Sequence, residues 1–312
     1  MMKRPYVMYM MGLLLFGSNG IVASHISLSS YQIVMLRTMI GSALLLALLF
    51  LTGQKFTFYK KKKDSMFLLI SGISTGISWI FLYEAYAQIG VGIASLLYYC
   101  GPVIVMGLSP MLFHEKLTTP KIAGFAMVVC GVLFIHGLSM DGINPWGLFC
   151  GAMSAIMYAG MIIFNKKAAA ITGMENAFLQ IAVSFLTVAA YTLCKSGLVM
   201  SIQIEDWKWI WILGLVNTGV GCYFYFSSIG KLPVQTVSIC GYLEPLSAVL
   251  LSVVVLGETM TPVQTVGAGC ILGGALLGEC GKLSRKKKSA RCSCVQSDRT
   301  RLMHRVRYQS RE

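Results

Sequence analysis

Glu244 and Pro245 stand side by side in CGYLEPLSAVLLSVVVLGE, a run from Cys240 to Glu258 that is otherwise almost entirely apolar. A carboxylate there can carry chemistry. It can exchange a proton, hold a cation, or mark a polar route through apolar surroundings. The proline removes a backbone donor and frees a carbonyl one turn earlier, and such groups persist only where protein or water satisfies them. Together the pair predicts a helix break facing a cavity, with an acid on its wall. The competing reading is a protonated Glu hydrogen-bonded to a neighbouring helix.

Few other residues have the type and setting for chemistry. Glu84 in WIFLYEAYAQIG is either an outer vestibule or coupling residue or an acid at the membrane interface. Arg37, two turns into an apolar run, can snorkel to headgroups, pair with a carboxylate, or contact substrate. Tyr99 and Tyr242 each precede a proline by three residues, Pro102 and Pro245. With Trp79 they are candidates to line a cavity, against the alternative of an interfacial aromatic belt. Asn19 and Asn217 are weaker polar candidates, and Asn217 can serve only to bond across helices. Glu115 and Glu258 each precede a Thr and a Pro, in EKLTTP and ETMTP. These read as structural turns in which Thr119 or Thr261 caps the following helix.

Enzyme chemistry finds little support. The four histidines lie apart at 25, 114, 136 and 304, with no HExxH, GxSxG or CxxC. No metal site or cofactor is expected. The absence of GxxxxGK[ST] argues against ATP as the direct energy source. Seven or eight of the ten cysteines lie in apolar blocks, where a free Cys acts as a small hydrophobe. Cys292 and Cys294 fall in a basic tail.

The elements that must hold these residues follow from composition. Of 312 residues 56% are hydrophobic and only 12% charged, and mean hydropathy is +0.70. Soluble domains carry roughly a quarter charged residues. The apolar residues form ten blocks near 6–24, 31–51, 65–85, 91–113, 120–138, 145–165, 175–194, 208–228, 234–256 and 262–280. Each approaches the ~20 residues that cross a bilayer. The first, preceded by Lys3 and Arg4, has the look of a signal peptide but is expected to be an uncleaved span. The net charge of +14 does not point to nucleic acid, because 11 of the 26 Lys and Arg lie from Lys282 onward and most others fall in alternate loops. That asymmetry places both termini in the cytoplasm.

The two halves match without a gap at an offset of 143. Ser95 meets Ser238, Tyr99 meets Tyr242, and Pro102 meets Pro245. Glu115 meets Glu258, Thr118 meets Thr261, Gly124 meets Gly267, and Gly131 meets Gly274. Glu244 has no acidic counterpart, since Gly101 stands at its register. Five spans per copy is odd, so the second copy enters the membrane inverted. The expected fold class is an all-α integral membrane protein of ten transmembrane helices in two inverted five-helix repeats. The repeats cover 5–140 and 144–280, followed by a basic cytoplasmic tail, 281–312, expected to be disordered.

AQIGVGIASLLYYCGPV, GLSPMLFHEKLTTPKIAGFAMVVCGVLFI and their second copy resemble the EamA-type unit of the drug/metabolite transporter superfamily, as do FGSN and MLRTMIGSALLL. The resemblance implies a central path lined by spans 1, 3, 4, 6, 8 and 9. It also implies transport of small polar metabolites across the plasma membrane, often as export. An Arg at the position of Arg37 is common in the family, which implies an ion pair. The expected function is thus a secondary transporter, with proton-coupled drug or toxicant efflux as the alternative. Expected partners are a small-molecule substrate, the lipid bilayer, a coupling proton and a second copy in a homodimer.

Overall fold

The computed structural model describes residues 3–54, 56–136, 144–197, 200–256, 261–263 and 265–277. Glu258, the tail from 278 and both tail cysteines lie outside the described residues. Among those described there is no strand. Helices α1 (Lys3–Gly17), α2 (Asn19–Ala23), α3 (Ser30–Leu51), α4 (Lys62–Tyr98), α5 (Gly101–Phe113) and α6 (Thr119–His136) form the first half. In the second, α7 (Pro145–Lys167) and α8 (Met174–Ser196) precede a span assembled from α9 (Trp207–Trp211), a π-helical segment (Ile212–Val220) and α10 (Gly221–Ile229). Then come α11 (Val234–Gly241), α12 (Leu243–Leu256) and α13 (Thr265–Leu277). Among the described residues seven helical stretches are long and apolar enough to cross a membrane; Gly101–Phe113, Thr119–Phe134 and Thr265–Leu277 are apolar but shorter.

The fourth expected span differs from 91–113. Helical residues run from Lys62 to Tyr98 with no non-helical residue at the loop expected near residue 86. Contacts with α7 nevertheless show that the chain reverses. Ser71 Oγ donates to the Met161 carbonyl at 2.8 Å, Ser78 Oγ donates to that of Ser154 at 2.8 Å, and Gln88 and Ile89 meet Gly147. That stretch is antiparallel to α7. Leu97 then meets Gly151, and Gly101 meets Ala155 and Tyr158, so the chain now runs parallel to it. Ser95 Oγ also donates to Tyr86 Oη at 3.3 Å, a pair that a straight helix would hold ~13 Å apart. The reversal between Ile89 and Ala94 returns Tyr98 and Tyr99 to the middle of the bundle.

The interior is polar for a bundle of this hydropathy, and the outside is apolar. Ser71, Thr75, Ser78, Ser154, Gln180 and Ser184 are buried, whereas Met111, Leu186, Val254 and Leu276 are exposed. Against lipid tails, apolar side chains gain nothing by turning inward, so small residues and interhelical hydrogen bonds hold the helices together. Contacts recur at the register of 143. A Cβ on Gly131 would lie 2.6 Å from the Gly267 carbonyl oxygen, and one on Gly274 would lie 2.5 Å from that of Gly124. In the same way Gly219 abuts Leu44 and Gly76 abuts Thr187. Overpacking such a contact costs about 1–3 kcal/mol. Gly131→Leu and Gly274→Leu are therefore each expected to lower the melting temperature in detergent by a similar amount. A variant that melts with the wild type would show that the helices do not cross this closely.

The helix starts after the turns correct one expectation. Thr119 is already helical, and the carbonyl that receives the first-turn amides of Lys121 and Ile122 belongs to Thr118. Thr261, its register partner, likewise accepts from Thr265 N at 3.0 Å. The repeat itself fixes the cap at 118 rather than 119.

Candidate functional site

A cavity of about 560 Å³ lies at the centre of the bundle and reaches the surface beside Ser24, at the end carrying the 24–30 loop. Its wall takes Phe16 and Asn19 from the first span, Ile33 and Arg37 from α3, Trp79 and Tyr86 from α4, and Tyr158 from α7. Tyr225 from α10 and Glu244 from α12 complete it, with Tyr98 and Tyr99 at the break before α5. The second span, absent from the expected path, therefore contributes the cavity's cation.

The Glu-Pro pair sits where a break brings it to the wall. Helix α11 ends at Gly241, Tyr242 is a turn residue, and α12 restarts at Leu243 with Pro245 in its first turn. The earlier copy breaks at Tyr99–Cys100 and restarts with Pro102 in the first turn of α5. Each proline falls where its missing N–H has no helical acceptor to reach. Tyr242 Oη donates to the Tyr99 carbonyl at 2.7 Å, joining the two breaks. Tyr242 is thus fully buried behind the wall rather than on it, while Tyr99 lines the cavity. Loss of that bond removes a net stabilisation of about 0.5–1.5 kcal/mol. Tyr242→Phe should accordingly lower thermal stability and slow substrate exchange, and wild-type values for both would remove the hydroxyl from the design.

Glu244 is partly exposed to the cavity, and its carboxylate has no hydrogen-bond or ion-pair partner among the described residues. Arg37 corrects two expectations. At 5% exposure it does not snorkel, and among the described residues no carboxylate lies within the 4.0 Å of an ion pair. Its Nε donates to Thr218 Oγ1 at 2.9 Å, and its Cζ stands 5.0 Å over the Trp79 ring. Thr218 comes within reach because the π-helical segment rotates it; its hydroxyl also donates to the Leu213 carbonyl, five residues back, at 2.8 Å. The same segment aims Asn217 Nδ2 at the Leu15 carbonyl, Ser18 Oγ and Asn19 Oδ1 (3.1, 2.8 and 3.0 Å). Asn217 therefore pins the α1–α2 break from behind and does not line the cavity, whereas Asn19 does. Glu84 lies outside the cavity. It pairs with Lys195 at 3.6 Å and accepts from Gln88 Nε2 at 3.1 Å, as an interfacial acid does.

The opposite end of the cavity is closed. Tyr9 Oη donates to the Val237 carbonyl at 2.9 Å, and the Tyr158 and Tyr225 hydroxyls lie 3.4 Å apart. Below them Lys166 binds the carbonyls of Ile229, Gly230 and Leu232. Glu115, expected to order its own turn, instead reaches across the bundle. Its two oxygens accept from Val234 N at 2.8 Å and Gln235 N at 3.2 Å, capping α11. Gln235 in turn bonds Lys121 and Ser109 Oγ. Nothing local in the sequence marks this cap, because its partner lies 119 residues away.

The profile of the EamA-like transporter family matches the chain twice, over residues 3–137 and 145–278. A Bacillus subtilis protein named uncharacterized transporter YxxF is 24% identical over 85% of this chain and 86% of its own. The threonine/homoserine exporter RhtA of Escherichia coli K12 is 23% identical over 77% and 79%. A probable amino-acid metabolite efflux pump of Salmonella typhimurium is 26% identical over 65% and 71%. A solved crystal structure superposes with a TM-score of 0.75 at 18% identity, covering 88% of this chain and 96% of the other, a likeness of fold.

Proposed function

Because the chain belongs to the EamA-like transporter family, and so is a multi-pass membrane transporter of small molecules, we propose that it is a secondary transporter exporting small polar metabolites such as amino acids by alternating access. The observation that carries this is a single cavity walled by both halves, open at one end and hydrogen-bonded shut at the other. In this reading the seven long and three shorter apolar helices are ten spans forming two inverted repeats. The double profile match and the glycine contacts at register 143 support it. Two equivalent halves can exchange conformations and give two states of similar energy. In this reading both termini are cytoplasmic, as the basic loops favour, so the open end faces outward and the end closed by Glu115 and Lys166 faces inward.

Glu244 supplies proton coupling in this reading, as a cavity-facing carboxylate with no hydrogen-bond or ion-pair partner among the described residues. Export of lipophilic cations is the second reading, favoured by the aromatic wall beside that acid; the cationic Arg37 in the same wall weighs against it. The test is uptake into proteoliposomes of labelled amino acids, sugars, nucleosides and lipophilic cations, with and without a pH gradient. Gradient-accelerated uptake of an amino acid is the expected outcome. A cation moved in its place favours the second reading, and no transport of any compound would sink both.

A further inference from the structure

Among the described residues the cavity wall carries one cation and one anion, and neither is duplicated at its register position in the other half. Arg37 and Gln180 occupy the same register, as do Thr218 and Thr75. In one half Arg37 Nε donates to Thr218 Oγ1 at 2.9 Å; in the other Gln180 Nε2 donates to Thr75 Oγ1 at 2.6 Å. The structural bond is thus one that a neutral amide makes equally well. What Arg37 adds is the rest of its guanidinium. Of its five donors one is spent on Thr218, and neither Nη finds a hydrogen-bond partner among the described residues. Neither is sealed off, since the residue lines the cavity and the buried side-chain atoms without a partner belong to Thr192 and Ser227. A planar fork of unspent donors, 95% buried by its neighbours, fits a carboxylate.

Glu244 departs from the repeat in the complementary sense. Its counterpart Gly101 is packed against Tyr158, leaving no room for a side chain there. The acid therefore stands on one side of the cavity only, apart from Arg37 by more than the 4.0 Å of an ion pair. Two opposite charges that line one cavity beyond ion-pair contact with each other are both open to a ligand. Much of the remaining wall is aromatic, with Trp79, Tyr86, Tyr98, Tyr99 and Tyr158.

We infer that the site binds an α-amino acid zwitterion with an apolar side chain. The Arg37 guanidinium holds its carboxylate, Glu244 holds its ammonium group, and the tyrosine-lined wall takes the side chain. This rests on the transporter reading above and narrows its substrate. A sugar or nucleoside leaves both charges uncompensated, a lipophilic cation leaves Arg37 unpaired, and a carboxylic acid leaves Glu244 unpaired.

The test is equilibrium binding of labelled L-phenylalanine to the full-length protein in nanodiscs. The competitors are phenethylamine, which lacks the carboxylate, and 3-phenylpropionate, which lacks the ammonium group. In the wild type each should compete about ten- to a hundredfold more weakly than unlabelled phenylalanine, the loss of one charged hydrogen-bonded partner. In Arg37→Gln the preference over phenethylamine should collapse to about one while that over 3-phenylpropionate persists; in Glu244→Gln the reverse should hold. Arg37→Gln can keep the Thr218 bond, as Gln180 keeps its own, so a folding defect does not mimic this result. No binding of phenylalanine, equal binding of either analogue to the wild type, or variants that weaken all three ligands alike would each overturn the inference. If another solute moves in the liposome assay while phenylalanine does not bind, the zwitterion falls and the transporter stands. If nothing moves, the binding ratios still judge the site by themselves.

Discussion

Glu244→Gln is expected to abolish the acceleration of transport by a pH gradient while substrate exchange at equal pH continues. Among the described residues the side chain is the sole carboxylate lining the cavity, and its register partner is Gly101, so no second acid among them can take over. A coupling group must bind a proton while facing one side and release it facing the other; an amide cannot. The ratio of uptake with and without the gradient should fall to about one. Counterflow should survive with substrate raised enough to offset weaker binding of an ammonium group, because alternating access needs the two halves and not the proton. Gradient-driven uptake that persists in the variant would make Glu244 a structural acid and remove the proposed coupling.

The second large effect is expected at Glu115. Its carboxylate holds the two first-turn amides of α11, where the helix dipole adds to the attraction. Hydrogen bonds to charged groups contribute about 1.5–3 kcal/mol each. Two conformations of a transporter differ by only a few kcal/mol. Losing both bonds in Glu115→Ala should therefore shift the population toward the inward-open state by tenfold or more. Hydrogen exchange of segment 234–241 in nanodiscs reads this without any knowledge of substrate. Faster exchange there, with α3 and α8 unchanged, is the expected pattern. Exchange equal to wild type would show that the closed end does not depend on this cap. Glu115→Gln, which keeps an acceptor but loses the charge, should fall between the two.

The membrane character, the register of 143 and the positions of the two breaks were legible from hydropathy and from where proline, glycine and acid coincide. These features are local: an apolar run seeks lipid wherever it lies, and a proline breaks a helix whatever packs beside it. A break near residues 86–90 was legible, but not that helical residues continue on both sides of it, because nothing in YAQIGVGIAS marks a helix stop and restart. The π-helical segment was equally hidden, since its one-residue excess leaves no mark in composition.

The site residues divide on the same ground. Glu244, Tyr99, Trp79 and Asn19 were marked by residue type, and the structure places all four on the cavity wall. Glu84, no less an acid in an apolar run, faces Lys195 instead, and Tyr242 and Asn217 stand behind the wall as supports. Arg37 holds Thr218 and opens its fork to the cavity where an ion pair was expected. By itself the sequence determined which residues enter the apolar region and which of them the repeat does not duplicate. Only the tertiary structure decided which way each points and what meets it, because the partners lie up to 234 residues away and only helix packing brings them together.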